Sequence, residues 1–184
     1  MLKKLTTPTD MAITLADAKE FLRVEYDEDD ALITSMVKGA TIVAQSFINQ
    51  QITECQYAMA LSSFQKEVSL LSPVKTIDNV KYYDATNTLH TLDSSNYYLM
   101  DFGLPNKLVF VDGTSLDLYP RADALQITFT SGMTTISEDI ISWVKVRIGT
   151  MYQYREQFVV NQNQLSQIDE KYLNSFLYNH KVFP

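Results

Sequence analysis

Apolar residues recur every three or four positions from Leu32 to Ile48, which predicts a long amphipathic helix. A shorter stripe of the same period covers residues 15–22. Thr14 and Asp17 have the spacing of a capping box at the start of the first helix, and the carboxylates of residues 27–30 are expected to cap the second. Residues 14–50 are therefore predicted to form a helical hairpin, preceded by an irregular arm over residues 1–13.

After Gln50 the period changes from helical spacing to short alternating runs rich in β-branched and aromatic residues. Turn-forming residues such as Asp112-Gly113 separate these runs. A small antiparallel β-region is predicted over residues 51–134. Roughly five to seven strands are expected. The candidate segments are residues 52–61, 67–71, 77–84, 88–92, 97–101, 107–111 and 125–130.

Helical spacing returns near the end of the chain. Ser137, followed by two acidic residues, is expected to cap a helix that runs to about residue 157. A shorter amphipathic helix is predicted around residues 168–177, and a tail from residue 180. We expect one α+β domain over residues 1–184, in which the helices and tail of residues 137–184 pack with the hairpin and the β-region is inserted between them.

Charge and length limit the possible functions. Of the 184 residues, 46% are hydrophobic and 20% charged, as in a folded protein. The net charge is −7, and residues 14–30 alone contribute −5, with seven acids against two bases. This excess of acid argues against a broad DNA-gripping surface. No apolar run approaches the roughly 20 residues that a membrane helix requires, so no membrane partner is expected.

No catalytic or metal site can be assembled from the chemistry-bearing residues. The carboxylates of residues 27–30 lack the spacing of a calcium loop. His90 and His180 belong to no zinc-binding or triad pattern. Cys55 lies in an alternating strand, where a small buried side chain is the favoured interpretation over a nucleophile. We therefore expect no enzyme, no metal and no cofactor.

Two tyrosine pairs in the β-region need separate consideration. Because successive strand residues point to opposite faces, Tyr82-Tyr83 and Tyr97-Tyr98 should each supply one core ring and one surface ring. Packing is the favoured role. The alternative function is a monomeric module that binds a ligand or protein through the exposed rings.

An ordered set of motifs resembles one known family. Thr14-Leu15 begins TLADAKEFLRV, and an acidic run ending in Asp29-Asp30 follows. PVKTIDNVKYYD, Tyr119-Pro120, ITFTSG and finally YQYRE come in the same order within residues 13–157. This set resembles the head–tail connector (adaptor) proteins of siphovirus-like tailed bacteriophages and prophages. Tyr119 stands where that family usually has Trp.

The resemblance implies a virion structural protein that is made in the host bacterial cytoplasm. Such proteins form a ring, usually a dodecamer, between the portal protein and the stopper or tail-completion protein. DNA passes through the ring without specific binding, and the protein is located at the head–tail interface of the virion. An acidic lumen would suit this role because it repels DNA.

The resemblance and the distribution of side chains also give candidate site residues. Aromatic residues dominate the C-terminal segment, which is expected either to dock on the portal or to cover the core. The portal-binding candidates are Tyr172, Phe176, Tyr178, Lys181 and Phe183. The channel-lining or inter-subunit candidates are Glu25, Asp27, Glu28, Asp29, Asp30 and Arg155.

Overall fold

The computed structural model describes residues 1–7, 10–154 and 170–183, with the side chains of residues 170–172 excluded. The chain divides into two compact units. The β unit comprises Met1–Thr9 and Thr53–Thr134, and the helical unit comprises Asp10–Ile52 and Thr135–Phe183.

Within the described residues, the helical unit contains four α-helices: α1 (Leu15–Leu22), α2 (Asp30–Ile48), α3 (Glu138–Gln153) and α4 (Glu170–Tyr178). Helix α2 contacts the other three, and α3 also contacts α1 and α4. The fully buried side chains come from the apolar stripes of these helices and include Ile33, Val37, Ile48, Ile140, Val144, Ile148 and Leu177. The predicted packing of the hairpin with the C-terminal helices is confirmed.

The helix starts differ in how they are capped. Thr14 and Asp17 form the predicted capping box of α1, in which the Asp17 amide donates to Thr14 Oγ1 at 3.1 Å. Helix α3 begins after Ser137, as predicted. The prediction for α2 is wrong in its detail, because the Asp29 side chain makes no capping hydrogen bond. Its carboxylate accepts hydrogen bonds from tyrosine hydroxyls instead.

Helix α2 corrects a second expectation. With 19 residues and a mean hydropathy of 1.4, it is long and apolar enough to cross a membrane by length and composition alone. Its buried residues nevertheless lie on one face, at the spacing of Ile33, Val37, Ala40, Ala44 and Ile48. A one-sided apolar stripe packed against three other helices is typical of the core helix of a globular unit.

The β unit contains two antiparallel sheets. All seven candidate segments form strands, and one further strand precedes them. The strands are β1 (Leu2–Lys4), β2 (Cys55–Leu61), β3 (Glu67–Ser69), β4 (Val74–Tyr83), β5 (Leu89–Thr91), β6 (Tyr97–Met100), β7 (Lys107–Phe110) and β8 (Leu125–Ser131). One sheet has the order β1-β2-β8-β4-β5, and the other has the order β3-β7-β6.

Strand β8 forms the centre of the larger sheet, and its burial alternates along its whole length. Leu125, Ile127 and Phe129 are fully buried in one cluster with residues of β2, β4 and β7. The Phe129 ring stacks on Tyr57 with the ring centroids 5.8 Å apart. Gly132 follows β8 at φ +155°, and an added Cβ there would lie 2.8 Å from the Glu54 Cα. The ITFTSG motif thus supplies both core and close backbone packing.

The expectation of an irregular arm over residues 1–13 is wrong for its first residues. Leu2–Lys4 forms β1 and pairs with Tyr57, Ala58 and Met59 of β2. All three β1 side chains are exposed, so the strand forms through its backbone and not through an apolar face. For this reason, no hydrophobic pattern in the sequence could have predicted it.

Candidate functional site

The acidic loop, defined here as residues 25–30, connects α1 to α2 and contains five of the six channel-lining or inter-subunit candidates. Lys19 Nζ lies 2.6 Å from Asp27 Oδ1 and 2.7 Å from Asp30 Oδ1. These hydrogen bonds, first the one to Asp27, raise the pKa of Lys19 and lower the pKa of Asp27. One cation therefore holds two of the five carboxylates.

A third carboxylate of the acidic loop is held by hydroxyl groups. Tyr152, in the last turn of α3, donates to Asp29 Oδ2 at 2.6 Å. The Tyr26 hydroxyl lies 2.8 Å from that of Tyr152 and 3.3 Å from Asp29 Oδ2. The bond to Asp29, followed by the contact with Tyr26, raises the pKa of Tyr152. The acidic loop is thereby fastened to the end of α3, where the YQYRE motif begins.

The remaining acids of the loop have a different character. Glu25 and Glu28 are exposed, as is Asp27, whose side chain is 89% accessible despite its ion pair. These are the charges that the loop presents to its surroundings. Arg155 lies outside the described residues.

The tail after α4 turns back onto the C-terminal end of α2. Val182 donates its backbone N–H to the Ile48 carbonyl at 2.8 Å, and Asn49 Nδ2 donates to the Val182 carbonyl at 2.9 Å. Gln50 Nε2 donates to the His180 carbonyl. Because the last carbonyls of a helix have no partner within it, these bonds hold the tail while they satisfy the helix end.

Three portal-binding candidates come together on this tail. The Tyr178 ring meets Phe47 of α2 edge to face, with centroids 5.4 Å apart. Lys181 Nζ lies 4.9 Å from the Phe47 centroid and 5.6 Å from that of Phe183. Tyr178 and Phe183 are 56% and 69% exposed. We call Phe47, Tyr178, Lys181 and Phe183 the tail patch.

The other two candidates are not part of this patch. Phe176 is half-buried, and the Tyr172 side chain lies outside the described residues. Leu173 and Leu177, on the same helix, are buried. Helix α4 thus covers the core with Leu173 and Leu177, whereas Tyr178 and Phe183 present their rings to solvent, and docking on the portal stays a prediction for these exposed rings.

A pocket of about 130 Å³ lies beside the tail patch within the helical unit. The residues that line it are Val43, Phe47, Trp143, Arg147, Leu173 and Asn174. Trp143 Nε1 donates to Asn174 Oδ1 at 3.3 Å, so one polar group of the pocket already has a partner. No nucleophile with an adjacent base lines it, and an acyl- or phosphoryl-transfer centre cannot be drawn there.

The tyrosines of the β unit do not form a common platform. Tyr83 is covered by the Arg121 guanidinium, whose carbon lies 3.6 Å from the ring centroid. Tyr82 stacks on His90 at 5.5 Å, and Tyr97 packs on Phe110 at 6.5 Å. Tyr98 is 52% exposed. The expected core and surface division is clear for Tyr97 and Tyr98, whereas both rings of the first pair are half-buried.

The chemistry-bearing residues have structural partners. Cys55 is 1% exposed, and its thiol donates to the Thr6 carbonyl at 3.0 Å. His90 Nε2 lies 2.8 Å from Asp84 Oδ2, within a turn whose donors lower the pKa of Asp84, Thr86 first. Across residues 1–7, 10–154 and 170–183, no group of three His, Cys, Asp or Glu side chains is arranged to hold a metal ion.

Four contributors to these surfaces were not among the predicted site residues. Lys19 is one of two bases within an acidic stretch, and its partners Asp27 and Asp30 lie eight and eleven residues later, beyond the end of α1. Tyr26 and Tyr152 are 126 residues apart in sequence. Phe47 belongs to the apolar stripe of α2 and therefore looked like a core residue.

Comparison with known proteins supports the resemblance that the sequence motifs indicate. Residues 12–95 match the family described as phage gp6-like head-tail connector protein. The matched segment contains α1, the acidic loop, α2 and the strands β2 to β5. No curated protein gives a significant sequence match.

The fold resembles that of solved chains over its whole length. One is from the neck of an empty gene transfer agent particle computed with C6 symmetry, with a TM-score of 0.78. Others are from the virion of the native particle (0.77) and from its neck computed with C12 symmetry (0.76). Each is 16% identical, and each alignment covers 100% of this chain and 96% of the other.

The motif order, the family match and the fold agree with one another. Together they confirm the resemblance of this chain to phage head–tail connector proteins and support the role of a virion structural protein.

Proposed function

We propose that the chain acts as a single connector domain. Copies of it assemble into a ring, a dodecamer in the virion, between the portal protein and the stopper or tail-completion protein. The observation that carries this proposal is the family match over residues 12–95. The whole-chain resemblance to a chain of a C12-symmetric particle neck adds support for the ring. A structural role of this kind requires no chemistry, so we also propose that the chain is not an enzyme.

The tail patch is the proposed portal contact. Its two exposed rings, Tyr178 and Phe183, are of the aromatic residue types enriched at protein interfaces. The backbone bonds of Val182 and His180 to the end of α2 hold these side chains in place before binding. A preformed patch loses less conformational freedom on binding than a free tail would.

The acidic loop is the proposed wall of the DNA channel. Lys19 offsets part of its charge, but Glu25, Asp27 and Glu28 stay exposed. Fixed negative charges facing DNA would keep the phosphates from binding the wall during passage. The loop is well suited to this because Tyr152 fastens its backbone through Asp29.

The alternative function, a monomeric module that binds through β-unit tyrosines, has little structural support. Three of the four rings are covered by Arg121, His90 or Phe110. A stacking platform needs several accessible faces, which these rings do not provide.

The test is co-sedimentation of the purified chain with the portal protein of its own phage or prophage. We expect the chain to sediment with the portal in a fixed ratio, and the Tyr178→Ser/Phe183→Ser variant to remain in the light fractions. Failure of the unaltered chain to join the portal across a range of salt and protein concentrations would contradict the proposal.

A further inference from the structure

The smaller sheet of the β unit ends in two edges of unequal character. At one edge, β3 is flanked by ion pairs, with Lys107 Nζ 2.8 Å from Glu67 Oε2 and Lys66 bound to Asp112. At the other edge, β6 reads Tyr-Tyr-Leu-Met and carries no charge. Within the described residues, β6 is paired on one side only. Uncharged edges invite pairing with another strand, and natural proteins generally protect them.

Apolar side chains extend this open edge beyond the strand. Tyr98 is 52% exposed, Val111 41%, and the loop after β6 exposes Phe102 at 93% and Leu104 at 50%. Tyr98 lies in β6, Phe102 and Leu104 lie in the β6–β7 loop, and Val111 directly follows β7. Adjoining exposed apolar residues of this kind mark interaction sites.

The hydrogen-bond alternation of β6 shows which backbone groups are available. Val111 donates its backbone N–H to the Asn96 carbonyl, so these two residues form a hydrogen-bonded pair. In the same register, Tyr98 and Met100 are the next residues that bond to β7. Because bonded pairs alternate in an antiparallel ladder, the N–H and C=O of Leu99 point away from β7. Leu99 is therefore placed to bond a further strand.

Within the described residues, strand β1 is an open edge of the larger sheet and, unlike the uncharged β6, it carries positive charge. Ala60 donates to the Met1 carbonyl and Leu5 to the Gln56 carbonyl, each at 2.8 Å. By the same alternation, Leu2 and Lys4 direct their backbone groups away from β2. Lys3 and Lys4 are exposed and basic, as is typical of a protected edge strand.

The two open edges are complementary in charge and in apolar content. Asp93 and Asp101 flank β6, whereas β1 carries two lysines. Exposed Leu2 and Leu5 accompany β1, and exposed rings accompany β6. Each strand is three or four residues long.

We propose that β1 of one copy pairs edge to edge with β6 of the next copy in the ring. The inference rests on the proposed ring and names one contact by which it closes. Two different surfaces of each copy meet, which is the heterologous type of interface that generates rings. The pairing would place lysines beside Asp93 and Asp101 and would cover Tyr98 and Phe102.

Disulfide cross-linking tests this pairing. In a Cys55→Ala background, one variant carries Lys4→Cys with Tyr98→Cys, and a matched variant carries Lys3→Cys with Tyr98→Cys. Neighbouring strands bring Cα atoms into disulfide range, and adjacent residues face opposite sides of a sheet. After assembly on the portal and mild oxidation, we expect a ladder of covalent oligomers from the variant whose two cysteines lie on the same face of the joined sheet. The matched variant, whose cysteines lie on opposite faces, should give at least tenfold less.

The outcomes separate this inference from the proposed function. Rings that form on the portal but give no ladder in either variant, or equal ladders in both, would overturn the strand pairing and leave the ring intact. Absence of rings in the Cys55→Ala background and in the unaltered chain would contradict the proposed function and the pairing with it.

Charge reversal gives a second, independent test. Lys3→Glu with Lys4→Glu should raise the protein concentration needed for half-maximal ring assembly by roughly tenfold, since each exposed pair contributes a modest amount. Lys38→Glu, on the exposed face of α2, is the control for charge alone and should change little. Adding Asp93→Lys and Asp101→Lys to the β1 variant should restore assembly. An unchanged assembly midpoint in the β1 variant would overturn the pairing.

Discussion

The two ends of α2 carry the two candidate surfaces, and they are built differently. At the N-terminal end, side chains hold the acidic loop: Lys19 binds Asp27 and Asp30, and Tyr152 binds Asp29. At the C-terminal end, the tail is held through its own main-chain groups, which bond the Ile48 carbonyl and the side chains of Asn49 and Gln50, and its aromatic rings stay exposed.

This difference assigns the two surfaces different tasks. The polar side chains of the acidic loop mainly join α1, α2 and α3. A substitution among them should therefore change the stability of the protein as well as its function. In the tail, the fold is maintained by main-chain groups, and the rings of Tyr178 and Phe183 contribute little to it. A substitution in the tail should therefore report on binding alone.

The largest expected effect is a loss of stability, and its size should differ between the buried side of α4 and its exposed end. Leu177 is fully buried, so Leu177→Ala should lower the free energy of unfolding by about 2–5 kcal/mol. Tyr178→Ala, one residue later and 56% exposed, should lower it far less. Chemical denaturation measures both. Equal losses would contradict the division between the two sides.

The burial of α4 also decides how the tail should be tested. Deletion of residues 161–184 would remove Leu173 and Leu177 from the core of the helical unit and would therefore change more than the tail. Point substitutions in the tail patch avoid that loss.

The next effect concerns binding. Tyr178→Ser with Phe183→Ser should weaken association with the portal by about 10–100-fold, the range expected for loss of interface anchors. The denaturation midpoint should stay close to that of the unaltered chain. Tyr119→Ser, which alters an exposed ring of the β unit, serves as the control. Unaltered portal affinity in the double variant, measured by interferometry, would remove the tail patch from the account.

A smaller effect is expected at the acidic loop. Tyr152→Phe removes the hydroxyl that donates to Asp29 at 2.6 Å while it keeps the ring. The denaturation midpoint should fall, but by less than for Leu177→Ala, because the site is open to solvent. Tyr154→Phe, two residues later, controls for loss of a hydroxyl. A midpoint equal to that of the unaltered chain would show that the loop is not fastened through this bond.

The smallest effect is the pH dependence of the Lys19 pair. The pKa of Asp27 is lowered from its ordinary value of 3.8 by Lys19, so its contribution to stability is present above that value and lost as the pH falls below it. Lys19→Met should flatten the part of the stability curve that lies below the ordinary Asp27 pKa of 3.8. Parallel curves for the two proteins would contradict the assigned ion pair.

The sequence predicted the fold well wherever a side-chain pattern defines the element. The apolar stripe of α2 and the alternation in β8 are each set by burial on one face, and both elements form as predicted. Strand β1 could not be predicted in this way, because its three exposed side chains carry no such pattern and backbone pairing alone forms it.

The candidate surfaces were only partly predictable for a related reason. Composition indicated the acidic loop and the aromatic tail, but not which charges are held by partners. The contacts of Lys19 and Tyr152 with the loop depend on how α1 and α3 pack against α2, which no local pattern specifies. Phe47 has the spacing of a core residue and becomes part of the tail patch because the tail turns back over the end of α2.

Electron microscopy of the purified chain mixed with the portal protein of its own phage or prophage tests the central claim most directly. The account predicts a second ring stacked on the portal, with the tail patch at the contact and Glu25 and Glu28 facing the channel. Portal rings that remain bare at high concentrations of the chain would contradict the assignment of the chain to the head–tail junction.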